Sequence, residues 1–459
     1  MSVLVYSARH ILPMTAPPIL NGSVAIESGR IRHVGTRAWV MRALAEEGEN
    51  DPVEVYWPGV IMPGLVNAHT HLQYTDMASV GAGAHDGFAQ WAQAFDEFYD
   101  AGGNHPAAAA AAGAAQSARF GVTALADVVT DIEAAGALHD AGLRGVVYWE
   151  VMNWGNAQWR AQGWQRVSDQ LDEIPDTPGV GVSPHAPYSL DTAPLLDVPD
   201  LARSRGLRLH IHLGESETEK LENRDERWRS VDAESFQALR RDGYGVSATE
   251  FVDQLGVLGP DCHVAHGVYL NDTDRAILRQ RGTSVALCPR SNHVIGLDEP
   301  PVADYLREGN PIAVGTDSLS SSPSLDVLAD VAELYRIART QGYHEPDLSG
   351  RLLAAATLGG AAALGLATGS RRVGQLQVGA LADLVAVDVA GPTARDAVEE
   401  LVRAGTGRQA ATVIGGAPRW TSPVWSGPQA APGAARTAGA GAASVRQNLG
   451  EGEAGNDPT

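Results

Sequence analysis

Short apolar runs recur along the middle of the chain, and nearly every one is closed by a polar or ionisable residue. They lie at Gly64 to Ala68, Val122 to Ala126, Gly145 to Trp149, Val180 to Ser183, Leu207 to Ile211, Cys262 to Ala265, Ser284 to Leu287 and Ile312 to Val314. Most are separated by stretches of helical character, such as the alanine-rich His105 to Arg119 and Leu325 to Arg339 with apolar residues at helical spacing. Repeated strand-then-helix units predict a parallel sheet, and eight such runs predict an α/β fold built on a closed (β/α)8 barrel of the TIM type. An open doubly wound sheet is the alternative, but no Gly-x-Gly-x-x-Gly follows a strand.

The two ends of the chain have a different texture. Ser23 to Ile26 and Ile31 to Val34 are β-rich runs separated by Glu-Ser-Gly, with Gly29 able to take the positive φ that hairpin loops demand. Strand candidates return in Gly374 to Asp388 and at Ala411 to Ile414. Neither set is large enough to bury a core alone. Residues 1–62 and 369–425 are therefore expected to combine into one small β-sandwich domain, with a barrel over 63–368 inserted between them. Residues 426–459 are rich in Ala, Gly, Pro and polar side chains, so burial there cannot offset the entropy of ordering, and a disordered tail is expected.

Composition narrows the class of partner. A formal charge of −21 over 459 residues opposes binding to nucleic acid or to an anionic membrane. Cys262 and Cys288 form neither a disulfide framework nor a Cys-x-x-Cys pair, which fits a reducing compartment. No basic stretch precedes an apolar run at the N-terminus, Arg9 and His10 interrupt the first apolar segment, and no uncharged run reaches the roughly 20 residues needed to cross a bilayer. The expectation is a cytoplasmic protein acting on a small molecule, with no nucleic acid or membrane partner and with a homodimer left open.

The polar residues at the run ends carry the chemistry. His69 and His71 are two apart on an extended strand, so both imidazoles face one side and form half of a metal site. Asp127, Glu150, His185, His212, His266, Arg290, Asn292 and Asp317 end the later runs, and Glu215 follows His212 by three residues. Taken singly, a histidine after a strand is more often hydrogen-bonded to a loop, and an aspartate after Gly-Thr is often a helix cap. Their coincidence at the C-terminal rim of one barrel, where barrel active sites are built, favours a metal centre.

Pro63-Gly-Leu-Val-Asn-Ala-His69-Thr-His71, His210-Ile-His212-Leu-Gly-Glu215, Ala265-His266-Gly267 and Gly315-Thr316-Asp317-Ser318 together resemble the amidohydrolase superfamily. The likeness is to its branch of cytosine-, guanine- and adenosine-type deaminases and related chlorohydrolases, and it spans residue 1 to about 425. It implies that His69, His71, His212 and Asp317 bind a divalent metal, Zn2+ first and Fe2+ second, with His266 beside the bound water. His210 competes with His212, but the family's ligand is the second histidine of that pair, which leaves His210 to the barrel interior. Two-metal relatives bridge their ions with a carboxylated lysine at the fourth strand; here that place reads Ser183-Pro184-His185, and the only lysine, Lys220, lies beyond the fifth. One ion is therefore expected, with a glutamate-bridged pair as the alternative.

With Asp317 and His266 orienting water, Glu215 is expected to shuttle its proton to a ring nitrogen, a step that attack on a heteroaromatic ring requires. The ordinary reading of Glu215 is a solvated charge in an acidic run with Glu217, Glu219 and Glu222, but its spacing from His212 sets it apart. The implied activity is hydrolytic deamination of an aminopurine nucleoside. In finer detail the stretches Asn67 to Tyr74, Cys288 to Asn292 and Gly315 to Leu319 resemble aminodeoxyfutalosine deaminases of menaquinone biosynthesis. From the ends of the first, fourth and seventh strands Gln73, His185, Arg290 and Asn292 are expected to approach the substrate; on the resemblance Arg290 clamps a distal carboxylate, with Arg144 or Arg160 as its substitutes and a protein carboxylate as its ordinary partner. Deamination of adenosine, S-adenosylhomocysteine or guanine, triazine dechlorination, and a non-catalytic binding role are the alternatives.

Overall fold

The computed structural model describes residues 3–220 and 237–425, so the expected tail lies outside the described residues. The central strands are β5 (Leu65–Thr70), β6 (Val122–Val129), β7 (Arg144–Val151), β8 (Val180–Pro184), β9 (Arg208–Leu213), β10 (Cys262–His266), β11 (Ser284–Leu287) and β12 (Ile312–Val314). They form one eight-stranded sheet in sequence order. Its neighbouring strands pair in parallel. The first and last strands meet just beyond β12, where the carbonyl of His69 accepts the N–H groups of Thr316 at 3.1 Å and Asp317 at 3.0 Å. The barrel is thus nearly closed.

Several strands run further than their apolar runs. β6 continues through Asp127 to Val129 and β7 through Glu150 to Val151, because Val128 and Val129 pair with Tyr148 and Trp149. Backbone pairing is indifferent to side-chain polarity, so Asp127, Glu150, His212 and His266 stand on strands rather than in loops. Each is thereby held on a rigid element at the barrel rim.

The second sheet contains β1 (Leu4–Ile11), β2 (Ile19–Glu27), β3 (Arg30–Thr36), β4 (Val53–Pro63), β13 (Leu384–Val387), β14 (Gln409–Ile414) and β15 (Ala417–Thr421). Its order is β15-β14-β13-β4-β1-β2-β3. The chain ends join where β13 lies antiparallel to β4, with Leu384 opposite Pro63 and Val387 opposite Val60. Arg30 on the far edge also bridges Leu381, and one apolar cluster draws Tyr6, Val24 and Ile31 together with Leu384 and Val413. The sandwich-like core is therefore made by a single sheet that curls over itself. Among the described residues, no helix is long and apolar enough to cross a membrane.

One buried carboxylate locks this sheet to the barrel. Asp383 accepts Arg144 Nε at 2.5 Å, Arg144 Nη2 at 3.1 Å and Gly415 N at 2.8 Å, and its own carbonyl accepts Gly64 N at 3.0 Å. Arg144 begins β7, away from the strand ends that form the rim, and its bonds to Asp383 give it a structural role in place of the expected substrate contact. Removing one partner of such a buried pair costs about 3–5 kcal/mol. Asp383→Ala is expected to lower stability by about 3 kcal/mol, the low end because Arg144 keeps 27% side-chain exposure. Thermal unfolding of the full chain is the check, and an unchanged midpoint would contradict it.

Candidate active site

His69, His71, His212 and Asp317 converge at the C-terminal mouth of the barrel. His71 Nε2 faces His212 Nε2 at 3.3 Å, while Asp317 Oδ1 lies 3.5 Å from His69 Nε2 and 3.7 Å from His71 Nε2. Burial lowers the pKa of all three imidazoles, His71 to about 3 and His212 well below its ordinary value, so each ring is neutral at neutral pH and keeps one nitrogen lone pair free of a proton. Burial opposes ionisation of Asp317, but His69, His266 and His71 outweigh it and hold the carboxyl well below its usual range.

Both nitrogens of His69 and Nδ1 of His71 are buried without a hydrogen-bond partner. The donor atoms of His69, His71 and His212 lie within 4.8 Å of one another, and so do those of His69, His266 and Asp317. Neutral imidazoles with unused lone pairs around one ionised carboxylate are the donor set that a divalent cation satisfies. The residues present therefore fit a metal ion.

The surroundings aim these donors. His212 Nδ1–H donates to the carbonyl of His185 at 3.0 Å, and since a carbonyl cannot donate, Nε2 keeps its lone pair toward the cluster. Asp317 Oδ2 accepts Ser291 Oγ at 2.7 Å and Ser321 Oγ at 2.8 Å, while Oδ1 accepts Ser318 N at 2.8 Å. His266 Nδ1–H donates to Asn292 Oδ1 at 3.1 Å, leaving Nε2 3.4 Å from Glu215 Oε1. Burial works against a charged His266, but Glu215 and Asp317 outweigh it and raise its pKa. His266 and Asp317 have φ of 72° and 59°, a conformation that costs a non-glycine residue about 1–3 kcal/mol and that clusters at functional sites.

The rim residues expected to meet substrate divide into two groups. His185 has Nδ1 on Ser189 Oγ at 2.6 Å and packs its ring 4.8 Å from that of His212, still partly exposed. Asn292 is buried, with its carbonyl oxygen committed to His266. Gln73 is fully buried and belongs to the fold rather than to a ligand. Its Oε1 accepts Thr130 N and Asp131 N, and its Nε2 donates to Thr130 Oγ1. Arg290 is likewise engaged within the protein: its guanidinium is held by Asp330, Ser324 Oγ and the carbonyl of Asp326. Asp330 is fully buried on the helix Val327–Thr340, where burial pushes its pKa up to about 7 and Arg290 opposes that rise. Arg160 is exposed.

Three residues escaped the sequence reading of roles. Glu150 is pushed up to about 8 by burial and by Glu215 and Asp317, and lies 3.6 Å from His212 Nδ1. Tyr188 donates to Glu215 Oε2 at 2.5 Å. Glu219 is no solvated member of an acidic run; it is buried and accepts the N–H groups of Gly214, Glu215 and Ser216 at 2.9, 2.9 and 2.8 Å. Its signal was in the sequence, because Ser216-x-x-Glu219 has the spacing of a capping box.

Residues 60–419 match the sequence profile of the amidohydrolase family. The chain belongs to that family. Among relatives of this amidohydrolase, the 5-methylthioadenosine/S-adenosylhomocysteine deaminase of Moorella thermoacetica is 29% identical over 432 residues, covering 88% of this chain and 90% of its own. An adenosine deaminase structure from Xanthomonas campestris with bound zinc superimposes with a TM-score of 0.76 at 25% identity, covering 90% of this chain and 92% of its own. The Helicobacter pylori aminofutalosine deaminase in complex with methylthio-coformycin shares the fold, with a TM-score of 0.76 at 18% identity over 91% of this chain and all of its own.

Arg290→Met is expected to lower the thermal midpoint by an amount corresponding to about 1–3 kcal/mol, because Asp330 is left buried without its cation. Metal content should not change, and activity should fall equally on carboxylated and uncarboxylated nucleosides. A loss confined to carboxylated substrates would return Arg290 to the clamp role.

Proposed function

We propose that this amidohydrolase is a metal-dependent deaminase that replaces the exocyclic amine of a 6-aminopurine nucleoside with oxygen and releases ammonia. The observation that carries this reading is Glu215 Oε1 standing 3.4 Å from His266 Nε2 beside the His69, His71, His212 and Asp317 donors. A carboxylate there serves no need in holding a cation, but it is what protonation of a ring nitrogen calls for. The Moorella relative supports an adenosine-type substrate modified at its 5′ side, since it spans most of this chain.

In this reading His69, His71, His212 and Asp317 hold one divalent cation, Zn2+ before Fe2+, with the zinc-bound Xanthomonas neighbour supporting zinc. Such an ion would lower the pKa of water from about 15.7 toward about 7, which would let Glu215 take its proton at neutral pH. His266, raised in pKa and fixed by Asn292, orients the attacking water together with Asp317. Glu215 takes a proton from the water at Oε1 and passes it to the ring nitrogen next to the carbon under attack. The amine then leaves with a second proton of that water as ammonia, and the ring carbon keeps the oxygen. His185 flanks the ring from the fourth barrel strand.

The finer substrate, 6-amino-6-deoxyfutalosine, is supported by the short sequence likenesses and no longer by Arg290. A panel of adenosine, 5-methylthioadenosine, S-adenosylhomocysteine, guanine and 6-amino-6-deoxyfutalosine, read by ammonia release, separates these. The highest kcat/KM should fall on a 5′-modified adenine nucleoside; absence of ammonia from every member would end the proposal.

Two further outcomes test the roles. The parent should bind about one equivalent of metal, and His69→Ala, His71→Ala, His212→Ala or Asp317→Ala should each lose it or hold it too poorly for turnover. Glu215→Gln should retain metal and substrate binding while the chemical step slows by a factor of at least about 100. Two tightly held equivalents in the parent would break the first assignment, and a Glu215→Gln enzyme within a few-fold of parent would break the second.

A further inference from the structure

Glu215 is held more completely than its place at the end of β9 requires. Gly214, at φ 66°, turns the chain, and a Cβ there would meet Leu270 Cδ2 at 2.6 Å. The three N–H groups of that turn then converge on the Glu219 carboxylate, which fixes the Glu215 backbone from below. At the other end of the side chain the Tyr188 hydroxyl donates to Oε2 at 2.5 Å, while Oε1 is the oxygen that faces His266 Nε2. The Tyr188 ring has little freedom of its own. It packs edge-on against His185, with centroids 5.6 Å apart at 88°, and against Phe88, 5.6 Å apart at 70°. Burial, followed by Glu215 and Glu219, pushes the phenol well above its ordinary pKa, so it remains a donor.

We propose that Tyr188 is a positioning residue for the reaction, its hydroxyl anchoring Oε2 of Glu215 so that Oε1 alone is presented to the reacting water and ring. This rests on the proton-transfer role given to Glu215 above. A free carboxylate turns in a broad, two-fold well about its last bond, and between the two equivalent flips neither oxygen is in line. Anchoring one oxygen converts a rotor into a fixed acceptor. Tyr188 itself transfers no proton and forms no bond to substrate.

The test is a double-mutant cycle on the metal-loaded full chain, with Tyr188→Phe, Glu215→Gln and the pair, using adenosine and the best nucleoside of the panel. Tyr188→Phe removes one oxygen and keeps both ring contacts, so the fold and the metal content should be unchanged. Its kcat should fall about 10- to 100-fold, the range for a lost hydrogen bond to a charged group, with KM within about twofold. In the Glu215→Gln background the same substitution should change kcat by less than about threefold. An equal loss in both backgrounds, or a rise in KM with kcat intact, would overturn the proposal in favour of a packing or substrate-binding role. A Tyr188→Phe enzyme at parental rate beside a slow Glu215→Gln enzyme would remove the positioning role alone. A Glu215→Gln enzyme at parental rate would remove the proton-transfer reading and the positioning role together.

Discussion

The carbonyl oxygen of His69 accepts two backbone N–H groups, from Thr316 and Asp317, and the barrel depends on that joint. β12 has only three residues, so closure falls on the segment just after it, the segment that supplies Asp317. Asn67 and Thr70 reinforce the seam from β5: the Asn67 amide bonds both N and Oγ1 of Thr316, and Thr70 Oγ1 donates to the carbonyl of Asp317. Gly315 permits the approach, because a Cβ there would lie 2.7 Å from Cys288 Sγ and 2.8 Å from His69 Cβ. The left-handed conformation of Asp317 is stabilised by these bonds. Closing the barrel and setting the distance between His69 and Asp317 are one structural event.

Low polarity inside the barrel then sorts the ionisable groups. His69, His71, His185 and His212 are driven neutral mainly by burial, whereas Asp317 is held ionised by the imidazoles around it. Glu150 and Asp127 are pushed up to about 8 and about 7, both chiefly by burial. Negative charge in the donor set is thereby concentrated on Asp317 instead of being spread over every carboxyl at the rim. Among the histidines of this site His266 is the one raised, and it faces both Glu215 and Asp317.

The cover over this centre is built differently from its base. The helix Phe88–Asp100 has no buried residue, yet its aromatic side reaches inward, with Phe95 against Tyr74 and Phe88 against Tyr188. Trp91 Nε1 donates to the carbonyl of Ser320, on the loop that also carries Ser321 to Asp317. A strand-based floor with full burial and an aromatic cover with partial burial divide rigidity from accessibility.

The sequence by itself determined the alternation of strands and helices, the joining of the two chain ends into a second sheet, and the histidine and carboxylate types ringing one rim. The alternation and the motif faces are local, because period acts on neighbouring residues and motif spacing places side chains on a common face before any tertiary contact forms; the joining of the ends was legible for another reason, that neither set of strands can bury a core alone. Glu219 was also legible, through the capping-box spacing from Ser216, although it reads at first as part of an acidic run. What only the tertiary structure decided was the choice among partners. Arg290 could have served a ligand, but Asp330, 40 residues on, takes it; Gln73 is taken by Thr130 and Asp131; Tyr188 finds Glu215 across 27 residues. A polar side chain commits to whichever complementary group shares its burial and lies within about 3 Å, and that distance exists only after the chain has folded.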